Sequence, residues 1–136
     1  MRRGWSRAAL YLAVAVAATG APPFVTTGCA GEGKRPPVSP AATVTGKPES
    51  CIPLRQLRET RVRDDWTIDF IADGRVWRTA LASRCPGLKV NDAFGYETSL
   101  SELCSTDIIY VLEKAGEVHR GAACGLGPFV PVKLAR

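Results

Sequence analysis

Apolar residues fall on alternate positions through much of the second half of this 136-residue chain. Trp66, Ile68 and Phe70 alternate with Thr67 and Asp69, which lays one apolar face along a strand. Asp73-Gly74 follows, a pair that tolerates the positive φ angles of a tight hairpin, and Val76–Leu81 is the returning strand. Ile108, Tyr110 and Leu112 share one side of Asp107–Glu113, while Ile109 and Val111 take the other. Apolar residues on both sides predict a central strand covered on both faces. Lys114–Glu117 turns the chain into Val118–Ala123, a second hairpin. Phe129-Val130-Pro131-Val132 reads as a short edge strand, where the donor that proline lacks is not needed. Helix is scarce. Ser99-Leu100-Ser101-Glu102 has capping-box spacing, which predicts a single turn leading into Leu103-Cys104. Leu54–Glu59 after Pro53 reads as a short turn or an extended segment. The pattern predicts an all-β, mainly antiparallel domain of five to six strands, closed as a barrel or folded as a sandwich.

The N-terminus follows another rule. Arg2, Arg3 and Arg7 precede the apolar run Ala8–Ala18, with no acid among them. A basic start and about a dozen apolar residues make a secretory signal helix, too short for the ~20 that span a bilayer. Thr27-Gly28-Cys29 resembles the lipobox of bacterial lipoproteins, with Thr26 where leucine is usual and Pro22-Pro23 before it. That resemblance implies acylation of Cys29 and cleavage before it. Ordinary cleavage after Ala15-Val16-Ala17, leaving a free thiol, is the alternative. Ala30 follows the cysteine in place of a retention aspartate, so the resemblance implies an outer-membrane anchor facing the periplasm.

The resulting division is residues 1–28 as signal peptide, 29–50 as lipidated N-terminus and disordered linker, and 51–136 as the β domain. The linker is rich in Gly, Pro, Ser and Thr and lacks any apolar period. Such a tether of roughly 20 residues would hold the head some tens of Å from the membrane.

Five cysteines fit this division. With Cys29 acylated, Cys51, Cys85, Cys104 and Cys124 remain to form two disulfides in an oxidising compartment. Their separations of 34, 19 and 20 include no Cys-x-x-Cys, which argues against a zinc site or a redox motif. Of the three pairings, the one expected joins Cys51 to Cys124, tying the domain's ends, and Cys85 to Cys104.

Charge adds little. The chain carries +5, but three of its 18 basic residues leave with the signal, so 15 face 13 acids, or +2. That is a weak drive toward a phosphate backbone, and no nucleic-acid partner is expected.

Chemistry is sparse. His119 is the sole histidine, and no strained nucleophile motif surrounds Ser101, Ser105 or Asp107. Cys124-Gly125-Leu126-Gly127 lacks the Lys-Ser/Thr of a phosphate loop. No cofactor or metal is implied. Arg55, Arg58, Arg61 and Arg63 form the densest basic group; on a strand, Arg61 and Arg63 point the same way toward an anionic ligand or a solvated face. Trp66 and Trp77 bracket the first hairpin and serve either a sugar-stacking surface or the core. Arg61, Arg63 and Trp77 are the binding candidates.

From Cys51 to Val132 the chain resembles a family of small exported Gram-negative proteins, a domain of unknown function. The resemblance rests on Cys51-Ile52, Asp65 before Thr67–Ile71, Gly74 with Trp77-Arg78, and Cys85-Pro86-Gly87-Leu88. It continues through Leu103-Cys104, Asp107-Ile108-Ile109 and Cys124–Phe129. It implies export, with a signal or lipoprotein peptide, and carries no activity. The function expected is a non-enzymatic envelope lipoprotein whose head binds a periplasmic protein or cell-wall component. Inhibition of a cell-wall hydrolase is one form of this, by analogy with small β lipoproteins. The alternative is a small hydrolase acting on envelope glycan through carboxylates such as Asp65 and Asp107.

Overall fold

Alternation in the chain becomes ten short strands in the computed structural model, which describes residues 35–136 apart from Ser99. The order is β1 (Ala42–Val44), β2 (Cys51–Pro53), a 3₁₀ turn (Leu54–Gln56), β3 (Leu57–Asp64), β4 (Thr67–Ala72) and β5 (Arg75–Ala80). Then come the one-turn helix α1 (Leu88–Asn91), β6 (Phe94–Tyr96), β7 (Glu102–Cys104), β8 (Ile108–Glu113), β9 (His119–Gly125) and β10 (Phe129–Leu134). They form a five-stranded sheet β1-β10-β5-β4-β3, a three-stranded sheet β6-β8-β9 and the ribbon β2-β7, with every ladder antiparallel. The signal and anchor expectations, Cys29 included, lie outside the described residues.

The β4–β5 hairpin turns where Asp73-Gly74 permits it, at φ 46° and 76°. Ile68 and Phe70 of β4 are fully buried, as is Asp69 between them on the opposite face. Phe70 meets Phe129 edge-on at 5.4 Å and Phe94 at 6.2 Å, so the five-stranded sheet packs against β6. Ile109 and Val111 of β8, Ile52 of β2 and Leu103 of β7 fill the same core.

Several elements differ from the sequence expectations. Ser101–Cys104 forms no helical turn: Glu102–Cys104 is β7, because pairing with β2 offers more hydrogen bonds than an isolated turn. Ser99 is outside the described residues. β8 is central but fully covered on one face only: Ile109 and Val111 are buried, while on the other face Tyr110 and Leu112 are half-buried and Ile108 is 47% exposed. β10 is interior, lying between β1 and β5. Proline is tolerated there because Pro131 sits just past the end of β1: its carbonyl accepts Thr45 N–H at 2.9 Å, and its missing donor faces the same side.

Order also begins before Cys51. Ala42–Val44 lies in the segment expected to be disordered, yet it pairs with β10, and Glu49 bridges Phe129. Arg35 donates Nη2 to Leu81 O at 2.8 Å and lies 5.1 Å over the Trp66 ring. These contacts give the proline-rich stretch partners that its composition does not disclose.

The two disulfides join Cys51 to Cys104 and Cys85 to Cys124, which corrects the expected pairing. Tying the domain's ends was the wrong criterion. The β2–β7 register sets Cys51 directly opposite Cys104. Cys124, opposite Ile109 on β9, points into the core toward the buried Cys85.

Candidate functional site

β3 is the outer strand of the five-stranded sheet, bulged between Leu57 and Glu59 and again between Val62 and Asp64. Register places Arg61 opposite Asp69, and Asp69 opposite Arg78 of β5. Three side chains on this face lock together. Arg63 Nε donates to Asp69 Oδ2 at 2.7 Å. Arg78 grips the same carboxylate with Nε at 2.7 Å and Nη2 at 2.9 Å, and gives Nη1 to Pro40 O at 3.0 Å. Two guanidiniums thus share one fully buried carboxylate, leaving a surplus positive charge. Arg63 Nη2 is buried without a partner. Beside them, Arg61 Nε donates to Glu59 Oε1 at 2.6 Å; that hydrogen bond holds the Glu59 carboxyl below its usual range and raises Arg61.

A groove of about 420 Å³ runs between β3 and the start of β6. One wall is the consecutive run Glu59, Thr60, Arg61, Val62 and Arg63; the other is Asp92, Ala93 and Phe94. A run of five consecutive residues borders a space with its backbone edge, since one face of a strand would contribute only alternate positions. The strand order agrees: β3 pairs only with β4, and β6 only with β8. Lys89 of α1 donates Nζ to Val62 O at 3.0 Å, so a carbonyl of this edge takes a donor from outside the sheet.

The structure brings Arg61 and Arg63 to this groove on one strand face, as an extended segment requires. Trp77 is elsewhere. It is buried opposite Phe70 and Pro131 and cannot stack on a ligand, because β5 turns it into the core. His119 sits exposed at the β8–β9 hairpin, with Nε2 2.9 Å from Glu113 Oε2 and Nδ1 3.0 Å from Glu117 O. Asp65 Oδ1 accepts Lys89 N–H at 3.0 Å and Oδ2 accepts Arg84; Asp107 Oδ2 accepts Cys104 N–H at 2.7 Å. Both carboxylates fasten turns, and different loops carry them.

Gly127 has a packing role. A Cβ there would collide with the Ala80 carbonyl oxygen, so only glycine lets the chain cross β5. Cys51, Glu102 and Cys104 have ligand-type atoms within 4.8 Å of one another, but the two sulfurs bond to each other.

A second concavity of about 360 Å³ lies on the outer face of the five-stranded sheet, lined by Val44, Pro48, Arg78, Pro128, Val130 and others. Its lining is apolar apart from Arg78.

No family model, curated protein or solved structure matches the chain. The groove residues that sequence reasoning missed are Glu59, Thr60, Val62, Asp92, Ala93 and Phe94. No motif joins two segments some thirty positions apart; the one local signal is Asp92, whose φ of 48° suits a polar turn residue.

Proposed function

We propose that this chain is an exported lipoprotein, held through acylated Cys29 at the outer membrane and facing the periplasm. Its β head is a non-enzymatic binding module for a periplasmic protein or cell-wall component. Membership in the family of small exported proteins belongs to the same proposal. Two disulfides in one small domain support an oxidising compartment. The observation that carries the binding reading is the groove between the outer strand β3 and Asp92–Phe94, a concavity of about 420 Å³ lined by Glu59, Arg61, Arg63 and Asp92.

Two measurements test it. A photoreactive amino acid at Thr60, in the full chain in its own envelope, is expected to give a discrete covalent adduct that the same probe at His119 does not. Absence of the Thr60 adduct would remove the groove as a docking site. Mass spectrometry of the mature protein is expected to find acyl groups on Cys29, and an unmodified amino terminus would remove the anchor.

A further inference from the structure

We propose that Cys51, Cys104 and Glu102 form a redox-gated zinc site, closed while the two sulfurs are bridged and opened when a dithiol reduces the Cys51–Cys104 disulfide. The site lies on the β2–β7 ribbon, and none of its residues lines the groove beside β3.

Strand geometry assembles the donors. β2 and β7 pair antiparallel, with Cys51 opposite Cys104 and Ile52 opposite Leu103. Ile52 and Leu103 are buried, so alternation turns Cys51, Cys104 and Glu102 to the other side of the ribbon. Their ligand atoms lie within 4.8 Å of one another, the two sulfurs being bonded. Once that bond opens, the same register leaves two thiols facing each other with a carboxylate beside them. Two thiolates and a carboxylate suit zinc rather than the hard cations magnesium and calcium, and leave a fourth position for water.

Hydrogen bonds hold the ribbon on both sides of the bridge. Ser105 N–H donates to Ser50 O at 2.7 Å on one flank, and Leu54 N–H to Ser101 O at 3.0 Å on the other. Asp107 Oδ2 accepts Cys104 N–H at 2.7 Å, while Ile52 and Leu103 anchor both strands in the core. Opening the bridge therefore keeps the donors in place. Access separates it from the other disulfide: Cys85 and Cys124 are buried, Cys51 and Cys104 only partly. A thiolate of the dithiol attacks one of the accessible sulfurs, breaking the S–S bond, and its second thiol resolves the mixed disulfide. The dithiol leaves as a disulfide, and Cys51 and Cys104 gain two electrons and two protons. Zinc displaces those protons as it binds the thiolates.

The test uses the mature protein from its own envelope, in detergent, treated with limiting dithiothreitol that is then removed. Iodoacetamide labelling is read cysteine by cysteine in a peptide map. Cys51 and Cys104 are expected to label roughly 10-fold more than Cys85 and Cys124. Equimolar zinc is expected to slow labelling at Cys51 and Cys104 by roughly 10-fold, and magnesium to leave it unchanged. In Glu102→Gln, zinc affinity measured by competition with a chromophoric chelator should fall by roughly 10-fold or more. Circular dichroism should keep its native shape after the selective reduction. Equal reduction of both bridges, labelling indifferent to zinc, unchanged affinity in Glu102→Gln, or loss of the native spectrum would each overturn the site.

Discussion

Asp69 binds three guanidinium N–H groups from two arginines on neighbouring strands while itself fully buried. A buried ion cluster is a weak source of net stability, but breaking one from inside is costly, since it strands the remaining charges. Asp69→Asn keeps the shape and removes the anion from between Arg63 and Arg78. It is expected to lower unfolding free energy by about 3 kcal/mol in urea titration. His119 makes a different prediction at the same scale. Its ring nitrogens face two acceptors, Glu117 O and Glu113 Oε2, and only the imidazolium donates to both. The backbone bond first, and the Glu113 carboxylate second, raise its pKa above the usual 6.5. A raised folded-state pKa contributes stability that is complete below pH 6.5 and lost as pH climbs through the higher folded value. Melting curves across that interval are expected to fall slightly with pH in the native chain. In His119→Gln that increment should vanish; an unchanged slope would show the contacts to be inconsequential.

At the scale of elements, local chemistry was readable wherever it sufficed. Asp73-Gly74 specified its hairpin, and the period-two stretches around Phe70 and Ile109 specified strands. What failed was everything requiring a partner. Ser99–Glu102 carries a helix-start signal, but β2 supplies a ladder to Glu102–Cys104. Pro131 marks an edge, but β1 ends just where its donor is missing. Cysteine pairing failed for the same reason, because spacing says nothing about which strands lie side by side. The two bridges close loops of similar length, with separations of 53 and 39, so chain entropy gives each about 4 kcal/mol. They differ in burial: Cys85–Cys124 is in the core, while Cys51–Cys104 is only partly buried. Replacing both core cysteines with alanine should cost more, by about 1–2 kcal/mol, because it also leaves a cavity. Non-reducing peptide mapping of the native protein should recover Cys51 linked to Cys104.

For the whole molecule, the main revision is that the domain's contacts begin well before Cys51. Arg35, Pro40 and Ala42–Val44 all contact the domain. Removing residues through Ser50 therefore does more than shorten a leash: it strips β1 from β10 and Arg35 from Trp66. That truncation is expected to lower Tm by roughly 10 °C relative to a chain beginning at Lys34, equivalent to about 2 kcal/mol. Equal melting would restore the picture of an idle linker.

The amino-acid sequence by itself determined the antiparallel β class, the main hairpins, the pairing capacity of four cysteines and the basic character of Leu57–Asp64. These follow from periodicity, turn chemistry and counting, which act over a few residues or over none. Tertiary structure decided which cysteines meet, that the proline-rich stretch joins a sheet, that Asp69 binds two arginines, and that β3 and β6 border one groove. Each of those depends on contacts between distant segments, whose geometry is fixed only when the sheets pack around Phe70.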